Sequence, residues 1–164
     1  YNSTQAAAVA ELCYEVGVAF EMDYGVGASG ANTADAATVF PNYFRYANTT
    51  SVLYRSSYNN SSWFNLIRKE LDAPLPRPIQ YRIYKSGWGG HSVVCDGYNT
   101  TNSMIHINYG WNDAHTAWYT LDNLYCGSGD PCPANDQYMV VGIQPINRIY
   151  MLAKGVSNTT IYYM

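Results

Sequence analysis

Three imidazoles and four thiols are the side chains of this sequence best suited to nucleophilic chemistry: His91, His106 and His115, and Cys13, Cys95, Cys126 and Cys132. A thiol beside an imidazole can ionise near neutral pH, because the imidazolium stabilises the thiolate. His91 is best placed for such a role. It follows Gly89 and Gly90, which let another backbone or a ligand come close, and it opens a run to Tyr98 that reads as a strand. His106 lies two residues before Asn108, so both point to one side of a second strand. It reads as a hydrogen-bonded structural histidine. His115 falls in a polar turn and reads as solvated.

The cysteines do not supply His91 with an evident partner. Cys95 shares its strand face, but four residues span about 13 Å at roughly 3.3 Å each. That is too far for the ~3–4 Å contact of a nucleophile and its base. It is equally too far for two ligands at ~2.0–2.3 Å from one zinc ion. Cys13 sits on the apolar face of a helix and reads as a small core hydrophobe. Cys126 and Cys132 flank a Gly-Ser-Gly-Asp-Pro loop. They can pair as a disulfide in an oxidising compartment, or stay as free thiols.

Ser3 or Thr4 can cap the first helix, with Val9, Leu12, Cys13 and Val16 on one face and Gly17 near its end. Val18 to Tyr24 reads as a short extended piece. Gly25 to Asn32 is a loop, and Thr33 or Asp35 caps a short helix that should stop before Pro41. Ser51 to Tyr54 reads as a strand. Asn60 to Ser62 offers caps for a third helix, with Trp63, Leu66, Ile67 and Leu71 on one face. Ile79 to Tyr84, the His91 run, the segment after Ser103, Ala117 to Thr120, and Tyr138 to Ile143 are the remaining strands, the last of them central. Asn123 to Asp136 is a long irregular loop expected to border a cleft. Ile146 to Met164 reads as a hairpin or appendage.

At 164 residues the chain can form one domain. Only 13% of residues are charged, and 17 Tyr with many Asn, Ser and Thr supply the polarity. This surface suits a secreted or extracytoplasmic protein. A net charge of −3 without a basic run argues against nucleic acid as a partner. No apolar stretch approaches the ~18 residues of a membrane span. The chain begins at Tyr1 without a signal-like segment and reads as a processed product. Asn-x-Ser/Thr sites stand at Asn2, Asn48, Asn59, Asn60, Asn99 and Asn158.

Several segments together resemble the streptopain family of secreted bacterial cysteine peptidases. They are Gly89-Gly90-His91 with Val93, Asp96 and Gly97; His106-Ile107-Asn108-Tyr109-Gly110-Trp111; Tyr119 to Leu124; Met22-Asp23-Tyr24-Gly25; and Val140 to Pro145. The resemblance covers about residues 5 to 145. It implies an α+β, papain-like fold: an antiparallel sheet or half-barrel with helices packed beside it. It makes His91 the imidazole of a Cys–His dyad, Trp111 the indole that shields the dyad, and Asn108 the residue placed to orient the imidazole. It implies peptide substrates and no cofactor. Tyr109 stands where the family usually has Trp, and Asn112-Asp113 where it has Gly-Gly.

The family's nucleophilic Cys lies upstream of the segment that resembles Thr4–Tyr24. The favoured expectation is an enzyme cut into two chains. This one supplies the His side as residues 1–145 of the catalytic domain, with 146–164 as a tail. The Cys comes on an N-terminal chain of the same precursor. A partial chain, an inactive papain-like scaffold and an aromatic-rich binding module are the alternatives.

Overall fold

The structure, a computed structural model, describes residues 2–127 and 131–146. Expectations for 147–164 lie outside the described residues.

Helix α1 runs Ser3–Ala19. Its cap is Asn2, one residue before the expected Ser3. The Asn2 side chain accepts from the Gln5 N–H and the Gln5 side chain accepts from the Asn2 N–H, a reciprocal capping box. Val18 is helical, so of the extended piece expected over Val18 to Tyr24 only the end forms, where Asp23 bridges Gly30. Gly17 lies inside the helix because the Tyr24 hydroxyl occupies the space of a side chain: a Cβ there would sit 1.8 Å from it.

The apolar stripe of α1 is only half covered. Phe20, just past its end, is buried, and Val16 packs with it against Ala36, Val39 and Phe40. Further up the same stripe, Val9 is 48% and Leu12 57% exposed. Cys13, expected in the core, is exposed with them. The helix is amphipathic as its spacing predicts, but its N-terminal turns extend past the surface that buries the other end.

Helix α2, Ala36–Tyr43, carries Pro41 inside it rather than stopping before it. Proline's fixed φ suits a helix, but its missing N–H and its ring against the preceding turn cost a helix interior about 3 kcal/mol. Burial of Ala36 and Val39 holds the segment helical across that gap. Helix α3, Asn60–Leu71, is capped by the Asn59 side chain and buries Trp63, Phe64 and Ile67.

Six strands form one open antiparallel sheet in the order β1-β6-β2-β3-β4-β5. They are β1 Ser51–Tyr54, β2 Ile79–Lys85, β3 Gly89–Asn99, β4 Met104–Asn108, β5 Ala117–Thr120 and β6 Tyr138–Val141. Strand β6 is interior and buried at all four positions, as its continuous apolar run predicts. Ile79, Tyr81 and Ile83 of β2 alternate with more exposed neighbours. They join Val93, Cys95, Ile105 and Ile107 against α3 in the main core. A second cluster, Phe20, Ala36, Val39, Val140 and Ile143, ties α1 and α2 to the β1–β6 side.

A buried cation fastens β1 to the far ends of the sheet. Arg55 is 2% exposed. It donates to the Leu121 carbonyl, to Gln137 Oε1 at 2.9 Å, to Asn60 Oδ1 at 2.7 Å and to Asp122 Oδ1 at 2.6 Å. Tyr81 donates to the same Gln137 oxygen at 2.7 Å and accepts from the Trp63 indole at 2.9 Å. These bonds satisfy the polar groups that close the core.

Candidate active site

His91 is the last member of a buried row. In the β2–β3 register Cys95 faces Ile79, Val93 faces Tyr81, and His91 faces Ile83. The first two pairs are sealed in the core, and His91, near the start of β3, is only part-buried. The hairpin that delivers it turns at Gly87 (φ +80°) and Gly89 (φ +105°), conformations that favour glycine.

Beyond Asn108 the chain turns back over the imidazole. The Asn108 side chain accepts from the Gly110 N–H at 2.8 Å, and Gly110 takes φ +72°. This local bond bends the chain. Trp111 then stacks on the His91 ring, with centroids 4.4 Å apart and planes 20° from parallel. The Tyr109 carbonyl lies 2.8 Å from His91 Nε2. The structure therefore brings His91 and Trp111 together. Asn108 is exposed, and its amide oxygen is used in the turn. The hydrogen bond of the imidazole goes to the neighbouring backbone carbonyl instead.

A carbonyl oxygen only accepts, so Nε2 carries a proton. In the neutral ring the lone pair is then on Nδ1, the nitrogen able to take a proton from a thiol.

The turn after Trp111 resolves the two departures noted in the sequence. Asn112 (φ +50°) and Asp113 (φ +66°) take the left-handed conformation that glycines favour. Asn and Asp are among the side chains that tolerate it best. Tyr109 is buried and donates its hydroxyl to the Tyr125 carbonyl at 2.9 Å. Burial holds that phenol protonated well above its ordinary range.

Three residues of the cluster were not anticipated as site residues. His115, expected to be solvated, is exposed but stacks on Tyr125 at 3.7 Å. Tyr125 adjoins Cys126, which is bonded to Cys132. Trp88 meets Trp111 edge to face at 6.4 Å and packs on Gly127, where a Cβ would lie 2.4 Å from its ring. The segment around Cys126 thus touches the indoles beside His91. Single aromatic residues in turns give no periodic signal, so only the Asn-Asp pair before His115 hinted at a defined turn.

His106 is a separate structural pair. Its Nδ1 is 2.5 Å from Asp96 Oδ1, and Trp118 lies beside it. Cys95 is buried, and burial pushes its thiol up to about 12. A thiol so desolvated is a poor nucleophile at neutral pH.

A groove of about 680 Å³ opens on the other face of the sheet, with Val16, Phe20, Arg82, Ser92, Tyr138 and His91 among its lining. Alternation along β3 directs Ser92 to it and the His91 row to the opposite face. His91 therefore stands where the groove meets the aromatic cluster.

Residues 1–119 match the model of the peptidase C10 family. The chain belongs to that family. It is 30% identical to streptopain of Streptococcus pyogenes over 152 residues, 88% of this chain. It is 28% identical over 146 residues to the thiol protease/hemagglutinin PrtT of Porphyromonas gingivalis. Among solved structures it matches active wild-type interpain A, a cysteine protease of Prevotella intermedia. That match has a TM-score of 0.75 and 32% identity over 88% of this chain. The fold is thus that of papain-like cysteine peptidases, α+β with an open antiparallel sheet. The chain spans 36% of the length of streptopain, 16% of PrtT and 59% of the interpain A chain.

Proposed function

We propose that this chain is the His-bearing part of a secreted bacterial cysteine endopeptidase. Its nucleophilic thiol is supplied by an N-terminal chain of the same precursor. The observation that carries the reading is the His91 imidazole itself, bonded through Nε2 to the Tyr109 carbonyl and covered by Trp111. Nδ1 of such a ring accepts the thiol proton. The imidazolium then holds the thiolate and later protonates the leaving amine of the cleaved peptide. The indole keeps water from the pair. Asn108 contributes by fixing the turn that sets both the carbonyl and the indole.

The chain's own thiols do not fit the role. Cys126 and Cys132 are bonded to each other, Cys95 is buried four residues along β3, and Cys13 is exposed on α1. The uncovered half of the α1 stripe offers apolar surface, and the groove beside Phe20 a mixed polar and apolar one, to a further segment. The Cys-bearing chain is the occupant that fits both.

The test is hydrolysis of an unstructured peptide by the full-length protein. Intact-mass analysis before and after a thiol-directed inactivator completes it. The expected result is loss of activity with the label on a chain other than this one. Activity that survives complete thiol labelling would overturn the reading.

A further inference from the structure

We propose that His115 is a positioning residue for the His91 imidazole. The two histidines are members of one closed ring of contacts. His91 bonds the Tyr109 carbonyl at 2.8 Å, and the Tyr109 hydroxyl bonds the Tyr125 carbonyl at 2.9 Å. The Tyr125 ring stacks on His115, centroids 3.7 Å apart and 11° from parallel. His115 meets Trp111 edge to face at 6.0 Å, and Trp111 stacks on His91 at 4.4 Å. His115 joins the Tyr125 ring to the Trp111 ring, beside the direct Tyr109–Trp111 contact at 5.3 Å.

The turn that carries it needs such an anchor. Asn112, Asp113 and His115 all have φ between +50° and +66°. Left-handed conformations are unfavourable for non-glycine residues, less so for Asn and Asp, and persist only where the surroundings over-determine them. Three hydrogen bonds hold this turn. Ala114 N–H donates to the Trp111 carbonyl at 3.0 Å and Thr116 N–H to that of Asp113 at 3.1 Å. The Tyr119 hydroxyl donates to the His115 carbonyl at 2.5 Å. All three act on backbone. The His115 ring is the side-chain contact that fixes the turn against Tyr125, beside the Cys126–Cys132 bridge. Trp111 is 38% exposed and is otherwise held by Tyr109 and Trp88, so loss of the His115 ring loosens its seat on His91.

The inference rests on the reading of His91 as the catalytic imidazole. A positioning residue should alter kcat more than KM, because it acts on the reacting group and not on substrate binding. Two variants separate the ring from the backbone. His115→Asn keeps a residue that tolerates positive φ but removes the ring. His115→Phe keeps a planar ring at the same place. In the full-length protein, His115→Asn should lower kcat by about three- to tenfold, no more than loss of the Trp111 ring it holds, with KM little changed. His115→Phe should restore part of it, since Phe supplies the ring but tolerates the positive φ less well than His.

The His91 imidazole signals of histidine-labelled full-length protein, read by NMR, give a measurement independent of turnover. They should move in His115→Asn and return toward their original positions in His115→Phe. Parental kcat and unmoved His91 signals in a folded His115→Asn variant would overturn the proposal. A fully active His91→Ala variant would instead overturn the catalytic reading, while the NMR signals still report whether His115 positions the ring.

Discussion

His91 Nε2 and the Tyr109 carbonyl oxygen are 2.8 Å apart, and this one bond settles which nitrogen of the imidazole is basic. Nε2–H donates to the carbonyl, and Nδ1 keeps the lone pair. The same segment that supplies the carbonyl continues into Trp111, whose ring covers the imidazole. Tautomer and ring plane are set by residues only two apart in sequence.

His91→Ala in the full-length enzyme should lower kcat/KM by at least ~10²–10⁴, the range for loss of general acid–base assistance, with thiolate stabilisation lost as well. Trp111→Ala should cost less, about three- to tenfold, matching ~0.5–1.5 kcal/mol of ring contact. His106→Ala should leave turnover near the parental value, since that ring pairs with Asp96 instead. Peptide hydrolysis with folding checked by circular dichroism decides the order. A folded His91→Ala variant keeping more than about a tenth of the activity would falsify its catalytic assignment.

The two unpaired thiols should differ sharply in reactivity. Cys13 is exposed, whereas Cys95 is buried with its thiol pushed up to about 12. When this chain is assayed in its folded state, iodoacetamide at pH 8 should not label Cys95 until denaturant is added. Burial also raises the Tyr81 and Tyr109 phenols. A group whose folded pKa lies above its unfolded value stabilises the fold below the unfolded value and loses that effect as pH rises. The unfolded thiol and phenols ionise near ~8.5 and ~10, so the urea midpoint should fall steadily from about pH 9 upward. A midpoint constant to pH 11 would count against these burial assignments.

Arg55 should matter more than its exposed partner. Arg55→Ala leaves the Leu121 carbonyl without its buried donor, at a cost of about 1–3 kcal/mol, while Gln137 Oε1 keeps the Tyr81 hydroxyl. Asp122 is 61% exposed, so Asp122→Asn should change stability by under about 1 kcal/mol. Equal effects of the two substitutions on the urea midpoint would show that the network is not buried as described.

Much of this arrangement was legible in the sequence. The apolar run Tyr138–Val141 announced an interior strand, and the glycines before His91 announced the start of another. Trp63 and Ile67 at helical spacing announced the buried face of α3. Position alone placed Asn108 beside the imidazole. It missed that a residue after a strand end can spend its side chain on its own turn, leaving the backbone carbonyl next to it to bond the ring. His115 looked solvated because exposure and ring stacking are compatible, and only the fold reveals which ring lies beside it. Pro41 misled because burial of Ala36 and Val39 holds the segment helical despite the proline penalty. Cys13 misled for the opposite reason: periodicity reports that a face is apolar, not what covers it.

The uncovered face of α1 carries the last prediction. Val9, Leu12, Cys13 and Val16 form one stripe with Phe20, and only its C-terminal end packs on this domain. Burying each large apolar side chain of that stripe would contribute ~1.5–3 kcal/mol. A Cys-bearing chain that seats there therefore has a ready apolar surface, and Leu12→Asp should disrupt it. A buried carboxylate without a partner is costly, whereas at a position 57% exposed in this chain it is nearly neutral. The expected result is an unchanged circular dichroism spectrum of this chain with weakened co-purification of the second chain and reduced peptide hydrolysis. Glu15→Gln, a polar exchange at an exposed position of the same helix, is the control and should change neither. Undiminished co-purification and full activity with Leu12→Asp would show that the stripe is not the contact and that the thiol reaches His91 by another route.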